Sequence, residues 1–247
     1  MLRRVIISRE RRTSPQKVLN LLGTGLPALR GKPQPGRVHK PAGSQTEGKM
    51  TQKPDLILQT QGQVIQWPVF YELILWGITR GKERAFRQFI VEQAGLRPGE
   101  AVLDVGCGVG TQALVAREVV GETGRVAGIE PSLKMVNHAQ RKAARRGLPV
   151  DIQQGVIERL AYPDQSFDVL LCVIVMHHMP DDTKLQGMKE MARVLKPGGR
   201  LLVVDSNLQL LPSFEDLGFS RVKGGEMPFV TGYDFILWRL DRPGIGL

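Results

Sequence analysis

Cysteine and long apolar runs are both scarce in this chain of 247 residues. The two cysteines, Cys107 and Cys172, lie in apolar or glycine-rich segments and make no disulfide framework, which favours buried thiols in an intracellular protein. The four histidines show no metal-ligand spacing with cysteines or acids, so no metal is expected. The longest apolar run, residues 169–176, is eight residues long, which suits a strand and excludes a membrane span. These absences predict a cytoplasmic protein without a transmembrane segment.

Acidic residues are few at the start of the chain. Residues 1–49 carry a balance of +9, whereas residues 50–247 hold 23 basic and 22 acidic side chains. The net charge of +10 therefore belongs to the N-terminal segment. A nearly neutral remainder gives little support for binding to a phosphate backbone, so nucleic acid is an unlikely partner.

Apolar periodicity is absent from residues 31–48, which are rich in Gly, Pro, Ser and Lys. We predict a disordered basic extension over 1–55, followed by one domain over 56–247. Two other interpretations stay open. The Arg-rich first twelve residues are similar to a mitochondrial transit peptide, and Met50 could be the true initiator, which would make residues 1–49 an upstream artefact.

The most informative stretch is VLDVGCGVG, residues 102–110. A short apolar strand carries one buried acid, Asp104, and ends in a turn containing Gly106, Gly108 and Gly110. A helical pattern follows directly. A strand that ends in glycines and opens a helix presents bare backbone N–H groups to a small ligand.

A second acid, Glu130, ends the next apolar strand, twenty residues after the glycine turn. That spacing is typical of a βαβ nucleoside site, in which the acid accepts hydrogen bonds from the ribose hydroxyls. The dinucleotide fingerprint reads G-x-G-x-x-G, and here the third glycine comes one residue early. The carboxylate of Asp104 would repel a pyrophosphate but suits a ligand with an ammonium group. Together these features favour S-adenosylmethionine over NAD.

Helical and strand-like patterns alternate after the turn, which predicts an α/β protein with a mostly parallel sheet. We expect Ser132 to cap a helix that ends at Gly147. The predicted helices cover about 111–120, 133–146 and 182–195. The predicted strands cover about 125–130, 149–153, 168–175 and 200–205, with an antiparallel pair within 218–240.

Apolar residues recur at helical spacing over 57–94 and predict one or two helices before the first strand. These helices either pack simply against the sheet or form a lid in which Trp67 and Tyr71 close over the cofactor. The basic face beside residues 70–76 is thin, but peripheral membrane contact through this stretch stays open.

Four motifs in order resemble the class I S-adenosylmethionine-dependent methyltransferases, and most of all the ubiquinone/menaquinone-biosynthesis C-methyltransferase group. The motifs are VLDVGCGVG, GIEPS at 128–132, ERLAYPDQSFD at 158–168 and RVLKPGGRLLVVD at 193–205. The resemblance implies a Rossmann-like, doubly wound, seven-stranded sheet that is mostly parallel, with an antiparallel strand at the C-terminal edge. It also implies methyl transfer to a small-molecule or lipid-like acceptor. An RNA or protein methyltransferase using the basic tail, and a non-catalytic S-adenosylmethionine-binding protein, are the alternatives.

The resemblance also assigns roles. Asp104 and the glycine-turn backbone would hold the methionine end of the cofactor, Glu130 its ribose and Met135 its adenine, and Cys172 and Val173 would lie near the methionine moiety. His177 and His178 are the candidate catalytic bases, with Asp181 as a possible partner. The full predicted cofactor set is Tyr71, Asp104, Gly106, Cys107, Gly108, Gly110, Glu130, Pro131, Met135, Val156, Ile157, Cys172 and Val173.

Two departures from the family pattern concern the adenine and the acceptor. The family usually has Gly-Asp-Ala where this chain has Gly155-Val156-Ile157, so the adenine amino group loses a carboxylate partner. We expect apolar contact and the backbone N–H of Ile157 to hold adenine instead. The connection after Asp205 is short, where relatives often carry a substrate-covering insertion, so the acceptor does not follow from the resemblance.

Overall fold

A computed structural model of the chain describes residues 60–206, 211–230 and 235–244. The predicted extension over 1–55 lies outside these residues. Two helices precede the first strand, as predicted. In chain order the described helices are α1 (Pro68–Ile78), α2 (Glu83–Ala94), α3 (Thr111–Val120), α4 (Leu133–Arg146), α5 (Asp181–Val194) and α6 (Leu211–Asp216), with a 3-10 turn at Met176–His178. The strands are β1 (Ala101–Val105), β2 (Arg125–Glu130), β3 (Asp151–Gln154), β4 (Phe167–Val173), β5 (Leu195–Ser206), β6 (Ser220–Glu226) and β7 (Phe235–Asp241).

The described strands form one seven-stranded sheet in the order β3-β2-β1-β4-β5-β7-β6. The first five strands of this order are parallel, and β7 lies antiparallel between β5 and β6. The predicted doubly wound, mostly parallel sheet with an antiparallel pair at its C-terminal edge is therefore confirmed. The chain runs outward from β1 in one direction and from β4 in the other. Their shared border is the switch point at which such sheets bind ligands.

Alternate residues of the central strands enter two apolar clusters on opposite faces of the sheet. Val102 and Val169 pack with Phe86 of α2 and the helix α3, whereas Leu103 and Leu170 pack on the side of α5. Because both faces of the sheet are buried, the sequences of the central strands are nearly continuous apolar runs and do not alternate between apolar and polar residues. The helix α5 contributes Met188 and Met191 to the core, and both side chains are fully buried.

The strand β5 begins before the predicted bound of residue 200 and includes the Lys-Pro-Gly-Gly segment at residues 196–199. Phe167 pairs with Leu195 and Val169 pairs with Arg200, so the residues between Leu195 and Arg200 bulge out of the ladder. Gly198 adopts a positive φ of 76° and donates its N–H to the carbonyl of Arg242. This hydrogen bond holds the bulge against the segment that follows β7, and β5 continues after the bulge.

The capping predictions for α4 are also confirmed. The Ser132 hydroxyl accepts a hydrogen bond from the Met135 N–H, and Gly147 ends the helix with a left-handed φ of 62°. The first cap fixes the start of α4 shortly after the end of β2, and the second fixes its end. Among the described helices, none has both the length and the apolar content that crossing a membrane requires.

Candidate functional site

A cleft of about 660 Å³, which includes space open to solvent, lies at the carboxyl ends of β1, β2 and β4. Its walls come from the segment before α1, the helix α1, the glycine turn, the loops after β2 and β3, and the turn after β4. The lining residues are Thr60, Gln63, Ile65, Tyr71, Gly106, Gly108, Ile129, Glu130, Pro131, Met135, Gly155, Val156, Ile157, Glu158, Ile174, Val175, His178 and Met179.

The glycine turn has no room for side chains at two of its three glycines. A Cβ at Gly106 would lie 2.6 Å from Cγ2 of Val175, and a Cβ at Gly110 would lie 2.8 Å from Cβ of Ala139. Both glycines also adopt a positive φ, 72° and 75°, which side chains disfavour. Gly108 has a positive φ of 53° and faces the ring of Tyr71. The turn therefore approaches its neighbours closely while it presents bare backbone to the cleft.

Glu130 ends β2 in the wall of the cleft and is fixed by two backbone donors. Gly108 N–H donates to Oε2 at 3.1 Å, and Ser132 N–H donates to Oε1 at 3.0 Å. Burial raises the pKa of Glu130 to about 7, and the Asp104 carboxylate adds to this rise, while the two N–H donors oppose it. The electrostatic influence of Asp104 shows that the two predicted acids are neighbours, one from each strand end.

Asp104 is 2% exposed and does not line the cleft. Its Oδ2 atom has no hydrogen-bond partner among the described residues. Burial raises the pKa of Asp104 to about 7, an effect that the Arg87 guanidinium opposes. A buried carboxylate oxygen without a donor is uncommon, because its desolvation is costly unless a partner binds it.

Arg87 is a neighbour of Asp104 that the sequence motifs did not reveal. It lies on α2, is 5% exposed, and its Nε atom is 3.5 Å from Oε1 of Glu83. Burial raises the pKa of Tyr71, and the Arg87 guanidinium opposes this rise. A signal was available in the sequence, because Arg87 occupies a position at core spacing with Phe86 and Ile90. A charged residue at such a position is rare unless it is paired.

The adjacent residues His177 and His178 have different surroundings: His177 contacts a buried acid, whereas His178 lines the cleft. His177 Nδ1 lies 2.8 Å from Oδ1 of Asp205, and because a carboxylate only accepts, Nδ1 carries the proton. His178 lines the cleft, and its ring is tilted by 42° against that of His177, with centroids 3.8 Å apart. Burial lowers the pKa of His178 to about 4, the neighbouring His177 adds to this effect, and Asp205 opposes it. His178 is therefore neutral near pH 7.

The predicted partnership of the histidines with Asp181 is wrong. Asp181 begins α5, its side chain is 87% exposed, and it pairs with Lys184 at 2.7 Å. The acid that contacts His177 is Asp205, the second-last residue of β5, which is fully buried. Its Oδ2 also accepts the backbone N–H groups of Val175, Met176 and His177.

The cleft brings together most of the predicted site residues and leaves others outside its wall. The members that line it are Tyr71, Gly106, Gly108, Glu130, Pro131, Met135, Val156, Ile157 and His178; those outside its lining are Asp104, Cys107, Gly110, Cys172, Val173 and His177.

The residues outside the lining have structural positions of their own. Cys107 faces Gly128, and a Cβ added there would lie 2.9 Å from the cysteine Sγ. Cys172 and Val173 are enclosed within β4, and the cleft begins one residue later, at Ile174. Ile174 has a positive φ of 61°, and such strain in a branched residue is concentrated at functional sites. Trp67 is 63% exposed and does not cover the cleft.

The two raised carboxyl pKa values predict how stability depends on pH. Asp104 and Glu130 titrate near pH 7 in the folded chain, against ordinary values of 3.8 and 4.5. Between about pH 4 and about pH 7 the folded state thus holds protons that the unfolded state has released, so these groups reduce stability as the pH rises. Urea unfolding of wild type and Glu130→Gln across this range should show the variant losing less stability. If the free energies of unfolding of wild type and Glu130→Gln changed equally with pH, the raised pKa of Glu130 would be contradicted.

Comparisons with known proteins agree with this geometry. Residues 102–199 match a family described as a methyltransferase domain. Demethylmenaquinone methyltransferase of Halalkalibacterium halodurans is 29% identical over 174 residues, which are 68% of this chain and 70% of that protein. Ubiquinone/menaquinone biosynthesis C-methyltransferase of Bdellovibrio bacteriovorus is 34% identical over 137 residues, 56% of this chain and 57% of that protein. The crystal structure of a SAM-dependent methyltransferase from Aquifex aeolicus has a TM-score of 0.56 at 25% identity, and covers 62% of this chain and 88% of that one.

The chain thus contains a methyltransferase domain, and these comparisons support the predicted class, the class I S-adenosylmethionine-dependent methyltransferases, with S-adenosylmethionine as the cofactor. Within that class it is similar to the ubiquinone/menaquinone-biosynthesis C-methyltransferases.

Proposed function

We propose that this chain transfers a methyl group from S-adenosylmethionine to an apolar, lipid-like small molecule. The observation that carries the proposal is the Glu130 carboxylate, held by two N–H donors in the wall of the cleft beside the glycine turn. The remainder of the wall is mainly apolar, which suits an adenine ring and a hydrophobic acceptor. The quinone methyltransferases among the relatives support an acceptor of this kind.

The residues present fit the two polar ends of the cofactor. Each oxygen of Glu130 accepts one N–H, and a carboxylate offers about four lone-pair positions, so it can also accept two ribose hydroxyls. The free Oδ2 atom of Asp104 would accept from the ammonium group, directly or through a bound water. Arg87, which lies beside Asp104, would stabilise the cofactor carboxylate and hold Asp104 ionised.

The adenine end would rest among apolar side chains. Ile129, Met135, Val156 and Ile157 line one part of the cleft. Val156 has no side-chain acceptor for the adenine amino group, which departs from the family pattern. We expect adenine to be held by apolar contact and by a backbone N–H, and the affinity to be lower by about 1 kcal/mol, the net contribution of one hydrogen bond.

When bound, S-adenosylmethionine supplies an activated methyl group that an acceptor nucleophile takes by in-line displacement. The task of the protein is then alignment and exclusion of water. Tyr71 from α1 and Met179 after the 3-10 turn contribute bulky walls to the cleft. A base is required only if the acceptor loses a proton. His178 is the candidate, since it lines the cleft as a neutral imidazole, while Asp205 and His177 position it.

The test is transfer of labelled methyl from S-adenosylmethionine to separated lipid, quinone, polar small-molecule and RNA fractions. Label is expected in the lipid or quinone fraction. Calorimetry on the same protein establishes cofactor binding independently. Label confined to RNA would instead support an RNA methyltransferase, and cofactor binding without any transfer would support a non-catalytic binding protein.

A further inference from the structure

The helix α1 presents an apolar surface to solvent. Trp67, immediately before the helix, and Val69, Leu73 and Trp76 within it are each more than 60% exposed, and Phe70 is 46% exposed. Elsewhere in the described part of the chain, exposed large apolar residues occur singly, at Val119, Leu185 and Val222. Scattered exposed apolar residues are ordinary, but a contiguous group marks an interaction surface.

The exposed residues form one face of the helix. With about 3.6 residues per turn, Val69, Phe70, Leu73 and Trp76 fall within an arc of about 120°. The opposite face holds Leu75, which is 2% exposed, and Tyr71, which lines the cleft. The same helix therefore closes one wall of the cleft with its inner side and presents an apolar face, here called the α1 face, with its outer side.

Basic residues lie on two segments next to α1, the helix α4 and the turn into α2. The neighbouring helix α4 contains no acid over its whole length and has five basic residues, Lys134, Arg141, Lys142, Arg145 and Arg146. The two helices are in contact, because Lys142 Nζ donates to Glu72 of α1, and His138 Nε2 lies 3.4 Å from the same carboxylate. At the other end of α1, the turn into α2 carries exposed Arg80 and Lys82.

We infer that the α1 face docks on an anionic lipid bilayer. Apolar side chains with tryptophan at both ends, flanked by cations, are the pattern of helices that lie in the bilayer interface. Each cation near an anionic surface adds to the attraction, which salt weakens. In this position the cleft opens beside the membrane, next to Tyr71. The link to a membrane-borne acceptor rests on the proposed function, whereas the docking itself does not.

Charge favours a bilayer over a second copy of this chain. A dimer formed through the α1 face would bring the acid-free α4 helices of both copies towards the interface, where like charges repel. An anionic surface neutralises the same charges. The bilayer thus satisfies both the apolar face and its cationic border.

Vesicle co-sedimentation of the full chain tests the inference. Wild type is compared with the triple variant Phe70→Gln, Leu73→Gln, Trp76→Gln, and with the matched control Leu185→Gln, Val222→Gln, which alters exposed apolar residues on other elements. The vesicles contain phosphatidylcholine alone or mixed equally with phosphatidylglycerol. We expect wild type and control to bind the mixed vesicles, and the triple variant to bind at least about tenfold more weakly, since three apolar side chains no longer leave water.

Tryptophan fluorescence supplies a second readout. Brominated lipids should quench wild type, because Trp67 and Trp76 are exposed, whereas Trp238 is 8% exposed and is expected to stay unquenched. Equal vesicle binding by wild type and triple variant would overturn the inference and assign the binding to the basic residues 1–49. Self-association that the triple variant abolishes, without lipid quenching, would overturn it in favour of a second copy.

Cofactor calorimetry on the same proteins separates this inference from the proposed function. The triple variant is expected to bind S-adenosylmethionine as wild type does, because its three substituted side chains do not line the cleft. Loss of vesicle binding with retained cofactor binding supports docking. Absence of cofactor binding in wild type would count against the proposed function and leave the docking result standing.

Discussion

Replacement of Glu130 by alanine is expected to weaken S-adenosylmethionine binding by at least about a hundredfold. A hydrogen bond to a charged group contributes roughly 1.5–3 kcal/mol, and Glu130 is expected to accept two from the ribose. Each 1.4 kcal/mol corresponds to about a factor of ten in affinity. The substitution also leaves the N–H groups of Gly108 and Ser132 without their present acceptor. Isothermal calorimetry at about pH 8, where the carboxylate is ionised by its pKa of about 7, measures the effect.

A second acid in the same cleft provides the matched control. Glu158 also lines the cleft, but its Oε1 accepts a hydrogen bond from the hydroxyl of Thr60, whereas Glu130 accepts one from the glycine turn. If the negative charge alone attracts the cationic cofactor, Glu158→Gln and Glu130→Gln should weaken binding equally. We expect Glu158→Gln to change affinity less than about threefold, the size of a long-range charge effect in water. A larger loss for Glu158→Gln than for Glu130→Gln would contradict the ribose assignment.

The glycine turn and Glu130 could be predicted from the sequence because their geometry is local. A strand, a turn and a helix start are consecutive in the chain, so their spacing fixes where Gly106, Gly108 and Gly110 must lie. The end of β2 is placed by the same βαβ unit. The strand and helix assignments were confirmed for a similar reason, since apolar periodicity and caps act over a few residues.

Asp205 and Arg87 could not be assigned in this way because tertiary packing brings them to the site. Asp205 contacts His177 across 28 residues of sequence, whereas the predicted partner, Asp181, was chosen because it is near in the chain. The strand pairing itself, once known, does place Asp205 next to the turn after β4. In the parallel pairing of β4 with β5, Val173 lies opposite Val204, so Asp205 follows at the edge where the β4 turn begins.

The exposed side of α1 was the least predictable feature. Apolar residues occupy almost every position of this helix except Glu72 and Gly77, so periodicity does not distinguish an inner from an outer side. A helix that is apolar all round is usually buried on all sides. Here α4 and the glycine turn contact one side, and the described residues leave the other side open.

Replacement of Asp205 by alanine is expected to lower the free energy of unfolding by about 3–5 kcal/mol, the cost typical of breaking a buried, fully paired charge. The side chain is completely buried and accepts N–H groups from three consecutive residues after β4. Without it those donors have no acceptor, and each unsatisfied group costs about 1–3 kcal/mol. Chemical denaturation of the variant and wild type measures the loss.

Asp205→Asn separates this backbone role from the contact with His177. The asparagine carbonyl can still accept the backbone N–H groups, but its amide group cannot accept the proton on His177 Nδ1. We therefore expect Asp205→Asn to retain most of the stability that Asp205→Ala loses, and His177→Ala to be about as stable as Asp205→Asn. If the two Asp205 variants were equally destabilised, the ring contact and the ionic charge would be the stabilising elements. If Asp205→Ala matched wild type, the segment after β4 would be held by other contacts, and the positioning of His178 would need another explanation.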